Sequence, residues 1–442
     1  MKPIIVVDSI MGSGKTSWAI DYMRSNPDRK YIFVTPFLDE IARIRSTLPE
    51  LKFYEPNYKR SDTKLEDFNL LLMEGRNVAT THCTFSNATP ETIEYLKAGH
   101  YTLVLDEVLD VLVGFNEACG DRITNKDVDA LMERGFIEVD QFGKVTWIAP
   151  DYTGSAYTNV ERTARNGTLF LLDGKFLVWS FPAEIFVLFE DVYVLTYLFD
   201  GSYLKPYFAY HEISFTLRSV KRDGDSYRLT DYDPAIAERQ KYKSLVTIWE
   251  DHRLNSFDAA SLSKSWFERK KRKDPKLKEL KNLIYTFFHN ATKAKAADIL
   301  WTCPKEEYPK LKGNGYTKRP LTEAEKAMTD KERSKLKRDC FLSCNARATN
   351  DYADRSVLAY IFNLFPNPYV KRYFENKNAV EHTDIHVDEN MLALSAMLQW
   401  IWRSRIRNLQ PITIWIPSTR MRNLFVAWLN GRENVATEIS VA

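Results

Sequence analysis

Residues 4–17 read Ile-Ile-Val-Val-Asp-Ser-Ile-Met-Gly-Ser-Gly-Lys-Thr-Ser, and this stretch decides the fold. A β-branched run (4–7) gives way to a glycine-rich turn and then to the helical pattern of SWAIDYMRS, so the segment is a strand, a loop and a helix. Glycines at 12 and 14 let backbone N–H groups close around phosphate oxygens, and the start of a helix favours anions. Lys15 is placed to reach the β- and γ-phosphates of ATP and Thr16 to hold Mg²⁺, with Gly12, Ser13, Gly14 and Ser17 completing the cradle. Ser9 stands where such a loop usually begins with glycine.

The theme continues downstream. YIFVT (31–35), NVATT (77–81), YTLVLDEV (101–108), FLVWS (176–180) and VYVLTYLF (192–199) are continuous apolar runs, most separated by helical patterns. That alternation predicts a parallel sheet covered on both faces. One of these runs ends in Asp106-Glu107-Val108-Leu109-Asp110. A carboxylate there suits Mg²⁺ bound to a nucleotide, which assigns Asp106 to the metal. Its neighbour Glu107 is placed to polarise an attacking water. Loop and acids together predict a nucleoside triphosphatase. A second α/β series follows in ADILWTC (297–303), FLSCN (341–345), SVLAYIF (356–362) and ITIWIPS (412–418), with a helix expected over 391–407.

The expected organisation is therefore α/β, with two parallel-sheet lobes in tandem. The first spans 1–205, with an insertion at 111–175 that reads as a helix and a hairpin turning near Gly143. A bridging region covers 206–275, the second lobe spans 276–442, and a basic stretch at 264–281 runs across the boundary between them. That stretch suits either a solvated helix face or a surface that tracks phosphates. The chain has 442 residues, 44% of them hydrophobic, enough for two or three cored domains. The net charge of +3 divides into −10 over residues 1–200 and +13 over 201–442, so the second part has the field of a polyanion binder. Five cysteines make no disulfide framework. The most apolar region, 176–199, is broken by Pro182, Glu184, Glu190 and Asp191, so no membrane span is expected and the location is read as cytoplasmic. Cys340/Cys344 and His382/His386 have pair spacings seen in zinc sites, but the wide gap between the pairs favours ordinary cysteines and surface histidines.

Gln399, Arg403 and Arg407 fall at i, i+4 and i+8, which would align them on one face of a helix rich in tryptophan. Cations in so apolar a segment call for an anionic partner, and a γ-phosphate would be one. At this point the ordered set resembles the superfamily 2 helicases. MGSGKT resembles their motif I, VTPFLDEIARI (34–44) motif Ia, and LDEVLD motif II, a DExD/H variant. LTYLF (195–199), ARATNDY (346–352) and QWIWRSRIR (399–407) stand where motifs III, V and VI are expected. The style of WTCPKEEYPKLKGNGY and CNARATNDY resembles helicase-like proteins encoded by bacteriophages.

The resemblance implies two RecA-like lobes and catalytic roles for Lys15, Glu107, Gln399, Arg403 and Arg407. It also implies backbone contacts to nucleic acid near Thr35, Thr81, His82, Arg347 and Asn350. The glycines that usually flank the first motif VI arginine are Trp402 and Arg405 here, and Ile406 takes the usual place of the second arginine. The expected function is ATP-dependent movement on nucleic acid, single-stranded or forked DNA foremost, in phage replication or recombination with other replication proteins as partners. Two alternatives are a DNA-packaging ATPase of the terminase type and a nucleotide-gated origin-binding or loading module.

Overall fold

The computed structural model describes residues 2–432 apart from 252, 253, 256, 259, 335 and 345–350. The chain divides into two compact units, one of Met1–Ser9, Ser13–Asp233 and Pro366–Val387, the other of Ile10–Gly12, Pro234–Phe365 and Asp388–Ala442.

The strands of the first unit are β1 (Ile4–Asp8), β2 (Lys30–Thr35), β3 (Val78–Thr81), β4 (Tyr101–Asp106), β5 (Leu112–Gly114), β6 (Ile137–Val139), β7 (Val145–Trp147), β8 (Leu169–Leu172), β9 (Phe176–Ser180), β10 (Asp191–Thr196), β11 (Phe215–Asp223) and β12 (Ser226–Asp231). Seven of them form one sheet in the order β12-β11-β1-β10-β4-β2-β3, parallel except for the β11–β12 hairpin. Alternate residues feed opposite faces, as strand geometry requires. Val6, Ile32, Val34, Leu103, Leu105 and Val194 join one core. Val7, Tyr31, Phe33, Val104, Tyr193 and Leu195 join the other. A sheet buried on both sides needs apolar residues at every position, which is why these strands read as unbroken runs.

The insertion has its own core around Phe115, Leu131, Trp147 and Val160. Its helix, Asn125–Glu133, leads into the antiparallel β6–β7 hairpin, with Gly143 at φ 85° in the turn. FLVWS, expected in the main sheet, instead pairs as β9 with β8 and β5 in a small antiparallel sheet. Phe176 is half exposed, so this strand has one wet end that its composition conceals. The insertion therefore runs on to Ser180. The bridging region is likewise split, because β11 and β12 complete the first sheet. Residues 366–387, inside the stretch expected to form the second lobe, pack in the first unit through Val370, Tyr373 and Phe374 of the helix Pro368–Glu381.

The second unit holds β13 (Val246–Ile248), β14 (Ile299–Thr302), β15 (Val357–Tyr360) and β16 (Ile412–Trp415), all parallel in the order β13-β16-β15-β14. Phe341 makes a single bridge to Trp301 where FLSCN was expected to form a strand. Among the described residues no helix is long and apolar enough to cross a membrane.

Candidate nucleotide site

The carboxyl ends of β1, β10, β4 and β2 carry the candidate residues. Register pairs Asp8 with Thr196, Leu195 with Asp106 and Val34 with Leu105, so Asp8, Thr196, Asp106 and Thr35 end adjacent strands at nearly one level. Ligands of open α/β sheets bind beyond this edge. Gly12 and Gly14 adopt φ 81° and 95°, values that side chains with a Cβ strongly resist. Gly14 caps the helix Lys15–Ser25. A Cβ at Gly14 would also lie 2.1 Å from Cε1 of Tyr227 on β12, so the hairpin rests directly on the loop.

Thr16 and Asp106, 90 residues apart in sequence, meet here: the Thr16 hydroxyl donates to Asp106 Oδ1 at 3.2 Å. The Thr35 hydroxyl donates to Asp106 Oδ2 at 3.1 Å. Burial pushes the Asp106 carboxyl up to about 7, reinforced by the nearby charges of Glu107 and Glu40 and opposed by the two threonine bonds. Lys15 Nζ donates to the Ser9 carbonyl at 2.6 Å. Burial lowers its pKa, while Glu107, Asp8 and Asp106 raise it. The Ser13 hydroxyl is buried with no hydrogen-bond partner, an orphan donor at the tip of the loop. Glu107 sits at φ 69°, its N–H donating to Leu195 O at 2.9 Å. A glutamate in the left-handed region is a strained position, and such strain gathers at working sites.

Several of these residues went unnoticed in the sequence. Asp8 is buried and accepts from the N–H groups of Leu198 and Phe199, both at 2.9 Å, so it ties β1 to the segment after β10. Burial raises its carboxyl to about 6, partly offset by those N–H groups and by Lys15. Ser9 earns its place by accepting from Val220 N at 2.8 Å, while Ser219 Oγ donates to Asp8 O at 2.9 Å. A glycine at position 9 would leave β11 without that anchor. The serine in an otherwise glycine-led loop was the one available signal.

The expected nucleic-acid contacts divide. Thr35 is wholly buried and serves Asp106, so its side chain is not at a surface. His82 is buried with Nε2 3.1 Å from Asp106 O. Thr81 caps the helix His82–Ser86. Arg347 and Asn350 lie outside the described residues. Gln399, Arg403 and Arg407 do not share a helical face. The helix Glu389–Ile401 stops before the arginines, Ser404 Oγ donates to Ile401 O at 2.7 Å, and Arg405–Asn408 form a separate 3₁₀ turn. The side-chain bond of Ser404 back onto the last helical turn competes with continuation, which apolar spacing alone does not reveal. Gln399 and Arg403 are half-buried and Arg407 is exposed. Among the described residues no three His, Cys, Asp or Glu side chains cluster as a metal centre.

Two family models match parts of the chain: the YonV C-terminal Rossmann-like domain over residues 240–429, and the YonV middle domain over residues 121–179, which falls on the insertion. The SPbeta prophage-derived protein YonV of Bacillus subtilis (strain 168) is 36% identical over 448 residues, covering 98% of this chain and 100% of that protein. Among solved structures, similarity extends to an XPD helicase (TM-score 0.49, 11% identity, 98% of this chain and 95% of that one). It extends also to Xpd4 of S. tokodaii (TM-score 0.49, 13% identity, 96% and 93%). A third is the DUF1998 helicase MrfA bound to DNA and AMPPNP (TM-score 0.33, 10% identity, 96% and 48%).

Proposed function

This chain belongs to the YonV family, and from that premise we propose that it is an ATP-hydrolysing motor on nucleic acid. In this reading it is a superfamily 2-type helicase or translocase with two RecA-like lobes, serving phage DNA replication or recombination. The prophage origin of its Bacillus relative supports the setting. One observation carries the reading: the Thr16 hydroxyl meets the Asp106 carboxylate at the mouth of a glycine loop that also presents Lys15.

The residues fit a magnesium nucleotide. Thr16 and Asp106 would hold the ion, Lys15 would meet the β- and γ-phosphates, and the orphan Ser13 hydroxyl would find an acceptor in a phosphate oxygen. Bound Mg²⁺ supplies charge neutralisation on the phosphates. Asp106, held near 7 by burial, is drawn into its ionised form by a cation. Glu107 orients a water and takes its proton as the water oxygen bonds to the γ-phosphorus and the bond to the ADP oxygen breaks. Arg403 or Arg407, with Gln399, would answer the charge that develops.

The test is steady-state ATP hydrolysis by the whole protein with no nucleic acid, with single-stranded DNA and with a fork. Stimulation by DNA, abolished in Lys15→Ala and Glu107→Gln, is the expected result. ATP binding without turnover in the native protein would instead favour a nucleotide-gated loading module.

A further inference from the structure

The basic stretch 264–281 carries nine Lys or Arg against three Asp or Glu. Part of it is the helix Pro275–Tyr285, which buries Leu277, Leu280 and Ile284 in the second unit and turns its other side to solvent. Lys278, Lys281 and Tyr285 recur at helical spacing along that solvent side. Lys270 and Lys276 are matched by Asp274 and Glu279, at 3.8 and 3.1 Å. Lys278 and Lys281 form no ion pair among the described residues. Tyr285, nearly half exposed, is one of the large apolar side chains this unit leaves open to water.

The row does not end with the helix. A π-helical turn, Thr286–Ala291, carries His289 to within 4.4 Å of the Tyr285 ring, centroid to centroid. The loop 312–318 (KGNGYTK) closes against the imidazole. His289 Nε2 lies 3.2 Å from Asn314 O, and a Cβ at Gly315, where φ is 81°, would come within 2.4 Å of His289 Cε1. Only glycine lets the backbone approach so closely. The same loop carries a further exposed lysine, Lys312, which forms no ion pair among the described residues.

An exposed ring flanked by unpaired cations is the chemistry that holds single-stranded nucleic acid: cations take the backbone and the ring takes a base. A patch built only for solubility needs neither an exposed tyrosine nor a loop locked beneath the next ring. We propose that Lys278, Lys281, Tyr285, His289 and Lys312 form a binding platform for single-stranded nucleic acid on the second unit, with Tyr285 stacking a base. The eleven-residue helix is about 16 Å long. That length spans about four or five nucleotides at about 3.4 Å each. The inference rests on the reading of the chain as a nucleic-acid motor, and it names a surface beyond the helicase-like motifs.

The test is fluorescence anisotropy of the full-length protein with labelled oligo(dT) and with a duplex of equal length, across a salt series. Tyr285→Ala is expected to weaken oligo(dT) binding about 5- to 150-fold, with Tyr285→Phe close to native, because the phenyl face alone suffices. Lys278→Ala/Lys281→Ala is expected to flatten the log–log salt slope by about 1.4. ATP hydrolysis without DNA should be unchanged in all three. Oligo(dT) affinity within twofold of native in every variant overturns the proposal. Equal losses on oligo(dT) and duplex in Tyr285→Ala overturn the stacking role. If DNA fails to stimulate native hydrolysis while Tyr285→Ala and Lys278→Ala/Lys281→Ala still lose oligo(dT), the motor reading falls and the platform stands.

Discussion

Replacing Asp106 with asparagine should make the protein more stable in alkali and inactive at every pH. A buried carboxylate whose pKa is held near 7 instead of 3.8 is expensive to ionise. Below pH 3.8 folded and unfolded chains both carry the proton, and the group costs nothing. As pH rises toward 7 the unfolded chain has released it and the folded chain has not, so native stability falls; above 7 the loss is complete. At about 1.36 kcal/mol per pH unit the full cost is about 4 kcal/mol. Asparagine escapes it, offering one acceptor and one donor to the Thr16 and Thr35 hydroxyls, which can take either role. Urea unfolding of both proteins without nucleotide or Mg²⁺, at pH 5 and at pH 8.5, reads the effect. The advantage of Asp106→Asn should grow by about 3 kcal/mol between the two, since every other titrating group is shared. An advantage that stays flat, or a variant less stable than native at pH 8.5, refutes the claim that burial makes this carboxyl costly to ionise. Magnesium-dependent ATP hydrolysis by the variant would refute the metal role.

Three further expectations concern Glu107, Ser9 and Arg407. Glu107→Gly should raise the urea midpoint by the equivalent of about 1 kcal/mol, because glycine occupies φ 69° without strain, whereas Glu107→Gln should leave it unchanged. Ser9→Ala should cost about 1–3 kcal/mol by orphaning the buried Val220 N–H, and Ser9→Gly, the usual loop residue, should do no better. Under the two-lobe reading, Arg407→Ala should slow ATP turnover by about 10³-fold or more in single-turnover assays, with nucleotide affinity nearly native.

The strand, glycine turn and helix at the start of the chain, and the acid-ended strand β4, were legible because both are local: a β-branched run, glycines at fixed offsets, acids at a strand end. Five of the seven strands of the main sheet, β1, β2, β3, β4 and β10, showed themselves for a related reason, since burial on both faces forces continuous apolar sequence, whereas the half-exposed β11 and β12 did not. FLVWS carried the same composition but pairs antiparallel in the insertion, because composition records burial and not partner choice. The arginine segment misled through periodicity. Trp400, Ile401, Trp402 and Ile406 are all buried, so apolar spacing continued past Ile401, where the helix had already ended. Asp8 and Tyr227 were invisible, and Thr35 was read for another role, because what they touch lies 71 to 213 residues away and nothing in a linear pattern marks such meetings.

The return of residues 366–387 to the first unit has a practical corollary. A gene fragment stopped after Asp233 encodes every strand of the seven-stranded sheet, yet it omits Val370, Tyr373 and Phe374, which that unit needs to cover Phe170 and Tyr210. Such a fragment would present a greasy scar to water and aggregate. Independent production of the amino-terminal unit therefore requires grafting the 366–387 segment through an engineered linker, not truncation.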